Sequence, residues 1–130
     1  METFIQYDFS EQLFAKFNYT RTHTEYDRAA GEARAPRVPK DSFNLLVSWN
    51  ATDKLNIDAE LNYYGNRYSL HDNRDPLDSY YLVNLSGSYQ INKSWKVFAK
   101  IHNLFDEEYE LVSGYNTYGR SLYAGFEFKF

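Results

Sequence analysis

The last ten residues, Ser121-Leu122-Tyr123-Ala124-Gly125-Phe126-Glu127-Phe128-Lys129-Phe130, decide the fold. Leu122, Ala124, Phe126, Phe128 and Phe130 fall on one side of an extended chain, and Ser121, Tyr123, Glu127 and Lys129 on the other. Successive side chains of a strand point to opposite faces, so this alternation predicts a strand with one apolar and one polar face. The segment closes on an aromatic residue with no polar tail, which suits a membrane barrel wall better than a soluble sheet.

Six further segments repeat the pattern. Thr3, Ile5, Tyr7 and Phe9 share a side between Thr3 and Phe9, and Leu13, Ala15, Phe17 and Tyr19 lead a segment from Leu13 to about Tyr26. Phe43, Leu45, Val47 and Trp49 oppose Ser42, Asn44 and Ser48 between Ser42 and Trp49. From Lys54 to about Tyr68, Leu55, Ile57, Ala59, Leu61 and Tyr63 oppose Lys54, Asn56, Asp58, Glu60 and Asn62. Tyr81, Val83, Leu85 and Tyr89 oppose Asn84, Ser86 and Ser88 in Tyr80 to Gln90. Trp95, Val97, Ala99 and Ile101 oppose Lys96, Lys100 and His102 in Trp95 to Asn103.

The connections alternate in length. Ser10-Glu11-Gln12, Asn50-Ala51-Thr52-Asp53 and Ile91-Asn92-Lys93-Ser94 are of hairpin length. Asp27 to Asp41, Leu70 to Ser79 and Leu104 to Arg120 are long and rich in Pro, Gly, Asp and Asn. Short periplasmic turns and long extracellular loops are the order of a transmembrane barrel. That topology sets Phe9, Trp49, Tyr89, Trp95 and Phe130 at the periplasmic rim and Tyr19, Phe43, Tyr63 and Tyr81 at the outer rim. All are aromatic and on the apolar face, the arrangement selected by the two bilayer interfaces. A strand of about ten residues tilted by about 45° crosses the hydrocarbon layer. The expected fold is all-β, an antiparallel up-and-down meander of about seven strands forming part of a transmembrane β-barrel. Two alternatives stay open: an independent oligomeric porin-like barrel, and a soluble β-sandwich acting as a carbohydrate-binding module. A sandwich would bury Leu45, Val47, Leu55 and Ile57 under a second sheet; a barrel wall would leave them open.

Composition bounds the function. The 130 residues suggest one domain, and the 19% aromatic content, led by thirteen Tyr and ten Phe, suits strands and interfacial girdles. Mean hydropathy is −0.68, and no apolar run approaches the roughly eighteen residues of a membrane helix. A barrel strand spends every second residue on its polar lumen, so low hydropathy is compatible with a membrane. The net charge of −4 comes from interspersed charges, which gives no nucleic-acid footprint. Without cysteine there are no disulfides or thiolate metal sites. Glu2 to Asp8 lacks the basic and apolar regions of an export signal. Seven strands is an odd count where bacterial barrels have even ones. Together these lead us to expect a C-terminal piece of a larger barrel.

The final loop carries a resemblance. Asn103-Leu104-Phe105-Asp106-Glu107-Glu108-Tyr109 runs to Gly114-Tyr115-Asn116-Thr117-Tyr118-Gly119-Arg120 and then into the closing strand. This Asn-Leu-Phe-Asp, following Tyr, Gly-Arg and terminal Phe strand resembles the C-terminal signature of TonB-dependent outer-membrane receptors, closest to the vitamin B12 and iron-siderophore group. Val38-Pro39-Lys40 resembles the family's entry into a late strand. The resemblance covers most of the chain, and is strongest from Asp78 onward. It implies a parent of 22 strands with an N-terminal plug and a TonB box; neither plug nor box is expected within residues 1–130. It implies an outer-membrane location, a chelate ligand such as a siderophore or corrinoid, and TonB engaged only through the plug. The lipid bilayer, the missing N-terminal barrel and the barrel-assembly machinery would be the other partners. On this view the piece alone is not transport-competent.

Several constellations could carry chemistry. Asn103, Leu104, Phe105, Asp106, Tyr109, Gly119 and Arg120 could face a substrate, although a structural loop capping the rim is favoured, since receptors for different ligands share the motif. Phe126, Phe128 and Phe130 resemble the terminal signal read by strand addition during barrel assembly; plain lipid-facing wall is the other reading. Asp72, Asp75 and Asp78, with Asn73, have oxygen ligands at spacing that could hold Ca²⁺, but no EF-hand pattern is completed and a solvated loop is favoured. Arg28, Arg34, Arg37 and Lys40 make one loop basic, either for anionic ligands or merely for solvent, the latter favoured. Asp58, Glu60, Lys96, Lys100, Glu127 and Lys129 could pair around the lumen. His23, His71 and His102 are far apart in the sequence, with no carboxylate or Cys at metal spacing, and read as polar residues of the rim or lumen. No nucleophile motif, phosphate loop or acid/base pair appears, so neither an enzyme nor a cofactor is expected.

Overall fold

The computed structural model describes residues 1–24, 26–28, 31–33, 35–70 and 75–130, with the backbone alone at 26–28 and 31–33. Alternation becomes thirteen strands: β1 (Glu2–Asp8), β2 (Leu13–Arg21), β3 (Tyr26–Arg28), β4 (Gly31–Ala33), β5 (Asp41–Thr52), β6 (Leu55–Tyr64), β7 (Arg67–Tyr68), β8 (Pro76–Leu77), β9 (Tyr80–Gln90), β10 (Trp95–His102), β11 (Glu110–Val112), β12 (Tyr115–Asn116) and β13 (Ser121–Phe128). The seven long ones form a single antiparallel sheet in the order β1-β2-β5-β6-β9-β10-β13. Every neighbour in it is a neighbour in sequence among the long strands, which is the up-and-down meander the sequence predicts.

Directly paired residues share a face, and the register lines up like with like. Tyr19 pairs with Phe43, Phe43 with Tyr63 and Tyr63 with Tyr81. Their rings form a ladder: Phe43 to Tyr63 is 5.2 Å between centroids and Tyr63 to Tyr81 is 4.8 Å. Two residues further along each strand, Phe17, Leu45, Leu61 and Val83 continue the same face. At the other rim Trp95 lies 4.8 Å from Phe128 and 5.5 Å from Phe126. The predicted aromatic rows therefore occupy the two ends of one apolar surface.

Among the described residues that surface has no second layer. Contacts between the described elements are confined to neighbouring strands of the sheet, the short ribbons, and β8 with β11. Leu45, Val47, Leu55 and Ile57 are only half-buried, and the buried apolar residues among those described are Leu77, Tyr80 and Leu82, away from this face. The soluble sandwich is thereby set aside.

Several boundaries differ from the sequence reading. The second strand stops at Arg21 instead of running to Tyr26, because after Thr22 donates its N–H to the Lys40 carbonyl at 2.8 Å the chain leaves β5 and folds into the separate β3–β4 ribbon. The fourth stops at Tyr64 instead of Tyr68. Gly65 donates to the Asp41 carbonyl at 2.8 Å, and a Cβ there would lie 2.8 Å from that same oxygen. Asn50 to Thr52, read as turn, extends β5 through a bulge, and the Thr52 hydroxyl caps the tight turn by accepting from Leu55 N–H at 3.0 Å. The last strand ends at Phe128, leaving Phe130 beyond it. The three long loops each carry a two-stranded ribbon, β3–β4, β7–β8 and β11–β12.

Adjacent residues on β9 test the sidedness. Leu85 lies on the apolar face beside Ala59 and Ile101, and Ser86 on the polar face beside Asp58 and Lys100. Leu85→Arg is expected to cost about 2–4 kcal/mol near mid-membrane, and Ser86→Arg well under half of that. Denaturant titration of the protein in lipid vesicles would read the difference; equal costs would contradict a lipid-facing Leu85.

Candidate functional site at the outer rim

The polar face replaces a core with amide–carboxylate pairing. The Ser48 hydroxyl donates to Asp58 at 2.6 Å. Glu60 is reached from both sides: Asn44 Nδ2 donates to Oε1 at 2.9 Å and Asn84 Nδ2 to Oε2 at 3.0 Å. The lumen carboxylates Asp58 and Glu60 thus take neutral hydrogen-bond partners, while Lys100 acts on Glu60 through its charge. Lys129 and Glu127 form an exposed ion pair at 3.2 Å.

Asn84 carries this network into the last loop. Its Oδ1 accepts the N–H of Asn103 at 3.0 Å, and Leu104 N–H donates to the Val83 carbonyl at 2.7 Å. Asn103 is 1% exposed. Its side chain spans the turn, accepting from Glu107 N–H at 2.8 Å and donating to the Glu107 carbonyl at 2.9 Å. Asn103 and Asp106 hold φ of 54° and 60°, a left-handed conformation that Asn and Asp tolerate better than most residues. Asp106 Oδ1 then accepts from Arg120 N–H at 2.6 Å, and a Cβ on Gly119 would fall 2.6 Å from that oxygen. The structure therefore brings Asn103, Asp106, Gly119 and Arg120 together. Leu104 is half-buried, whereas Phe105 is 74% exposed and stands apart.

Tyr109 joins a second cluster that sequence reasoning missed. Its ring stacks on Tyr80 at 4.4 Å, Tyr80 stacks on Tyr64 at 5.0 Å, and the Arg67 guanidinium lies 4.9 Å from the Tyr80 ring centre. Arg67 donates to the carbonyls of Asp78 and Glu110. No charge partner in the sequence points to Arg67; the only signal is a lone arginine straight after the Gly65-Asn66 break. Beside this cluster lies a cleft of about 530 Å³ between the two final outer loops, with Asp78, Glu107, Glu108 and Glu110 among its lining.

The other predicted residues are scattered. Arg28 pairs in backbone register with Gly31, and Arg37 has φ of 62° and donates its N–H to the Tyr68 carbonyl at 2.6 Å. Arg34, Asp72, Asn73 and His71 lie outside the described residues. The Asp75 carbonyl accepts from Ser69 N–H at 2.8 Å, and Asp78 contributes its carbonyl to Arg67. Among the described residues no group of three His, Cys, Asp or Glu is placed to hold a metal. Phe126 and Phe128 sit on the edge strand against Trp95, with Phe130 6.2 Å beyond Phe128.

Comparison with known proteins adds kinship. Residues 2–104 match the family model described as TonB dependent receptor-like, beta-barrel. The iron-regulated outer membrane virulence protein of Vibrio cholerae serotype O1 is 30% identical over 128 residues, covering 93% of this chain and 20% of that protein. The vitamin B12 transporter BtuB of Photobacterium profundum is 36% identical over 94 residues, covering 72% of this chain and 15% of BtuB. The chain thus spans about a fifth or less of the length of these relatives. The crystal structure of the siderophore receptor PiuA from Acinetobacter baumannii superposes with a TM-score of 0.81 at 22% identity, over 99% of this chain and 21% of that one, which establishes the shared fold.

The turn geometry makes a separable prediction. Asn103→Ala loses both side-chain bonds and leaves alanine at positive φ, for an expected loss of about 2–4 kcal/mol. Phe105→Ala, at an exposed position, should stay within about 0.5 kcal/mol. Thermal unfolding in detergent would check the contrast, and a neutral Asn103→Ala would show that the turn does not depend on its amide.

Proposed function

This chain belongs to the TonB-dependent receptor β-barrel family, whose place is the bacterial outer membrane, and we propose that it forms wall and outer rim of a receptor importing a metal chelate, either a siderophore or a corrinoid. The observation that carries the reading is the single-layer sheet: one face apolar and rimmed with aromatic rows, the other lined with amides and carboxylates. Such a sheet is suited to separating lipid from an aqueous lumen.

Residues 1–130 are assigned to the C-terminal part of the barrel domain, so the wall supplies lumen and rim while capture and energy coupling draw on the plug that the family implies. The Asn103 to Arg120 block shapes the rim. Phe126, Phe128 and Phe130 serve as the assembly signal, a role supported by the position of β13 at the edge of the sheet, where its outer backbone groups can pair with an added strand. Arg28, Arg34, Arg37, Asp72 and Asp75 belong to the loops that meet the ligand. The family is one of receptors and transporters, and we assign no enzymatic step to this chain.

Deleting the gene and measuring uptake of labelled cyanocobalamin and of a ferric catecholate, in cells with and without TonB, tests this. The expected result is loss of one chelate class, with no further loss on removing TonB. Uptake of both chelates unchanged, with reduced passive entry of small solutes, would favour the porin-like alternative.

A further inference from the structure

Three contacts tie the outer loop between β6 and β9, together with Tyr80 at the start of β9, to the outer loop between β10 and β13. Arg67 is 5% exposed; Nη1 donates to the Asp78 carbonyl at 3.2 Å within its own loop, and Nη2 donates to the Glu110 carbonyl in the other. Ser69 is 2% exposed, and its hydroxyl accepts from Ser113 N–H at 3.0 Å. The rings of Tyr80 and Tyr109 stack across the same seam with 24° between planes. Two of the three contacts end on backbone atoms of residues 110–113, so they hold the path of the second loop and not merely one rotamer.

We infer that the described parts of these two loops, residues 65–70 and 75–79 of the first and 103–120 of the second, move as one rigid body with Arg67 as its clamp, and that the cleft between them is preformed. Separating the loops requires the guanidinium bond to Glu110, the Ser69–Ser113 bond and the tyrosine stack to break together. A guanidinium has a planar fork that can serve two acceptors at once; an ammonium is a point charge and cannot reproduce that geometry. Preformation matters because a solute then meets a cleft whose ordering cost has already been met by folding. It also confines large rearrangements of the rim to elements outside this pair.

Leu70 and Leu111 are exposed, one on each loop, and the chain contains no cysteine to compete for label. Nitroxides at Leu70→Cys and Leu111→Cys, read by pulsed electron–electron double resonance in native outer membranes, should give one narrow distance distribution. Arg67→Ala should broaden it at least twofold, and Arg67→Lys should broaden it by a comparable amount while keeping the charge. A broad or bimodal distribution with Arg67 in place would overturn the inference. So would an unchanged width in an Arg67→Ala protein that still shows the heat-modifiable migration of a folded barrel. Should Arg67→Ala fail to assemble, the Arg67→Lys width decides in its place, an unchanged width counting against the clamp. The readout is a distance and not uptake, so its failure is distinguishable from failure of the transport reading.

Discussion

The structure depends on register. Hydrocarbon offers the backbone no hydrogen-bond partners, so every spanning strand must take both neighbours from the sheet. Once strands are paired, a slip of one residue exchanges the faces. In β5 such a slip would turn Phe43, Leu45 and Val47 towards the lumen and Asn44 and Ser48 towards lipid. Both faces therefore specify the same alignment. The ladder of Phe43, Tyr63 and Tyr81 fixes it from outside, and the bonds from Asn44 to Asn62 and Glu60 fix it from within.

This dual specification explains why a carboxylate stands at position 60. A sheet of one layer has no interior to pack, and its lumen face is held by polar bonds between strands. Glu60 receives an amide donor on each oxygen, from β5 on one side and β9 on the other. A carboxylate can accept at both ends, whereas a glutamine would set its own NH₂ against one of the two donors. Anchored this way, Asn84 is left with its Oδ1 turned to Asn103 N–H. The order of the lumen wall is thus passed directly to the first residue of the last outer loop.

The parts legible in the sequence are those that repeat. Long alternating segments such as Tyr80 to Gln90 gave strand, face and rim together, since each residue votes on the same periodicity. The ribbons were not legible. β7 and β8 hold two residues each, too few to display a period, and their pairing comes from the loop closing on itself. Arg67 was hidden for a different reason. Its acceptors are backbone carbonyls, which every residue carries, so no complementary charge marks the site. The early end of the second strand was masked by continued alternation into the β3–β4 ribbon, which has its own register.

The Asn103 to Arg120 block was legible as a resemblance and becomes intelligible as folding chemistry. Position 103 needs a side chain with a donor and an acceptor, because it bonds both the N–H and the carbonyl of Glu107; aspartate would lack the donor and leucine both. Position 106 needs only an acceptor, which aspartate supplies to Arg120 N–H, and position 119 must lack a Cβ to admit that carboxylate. Both ends of the Asn103 amide and one oxygen of Asp106 are thereby engaged within the loop, while the exposed ring of Phe105 takes no part. A motif whose polar atoms satisfy each other is accounted for by the folding of the loop, with no solute needed to explain it. Asp78, Glu108 and Tyr109, which line the neighbouring cleft, take no part in that bonding.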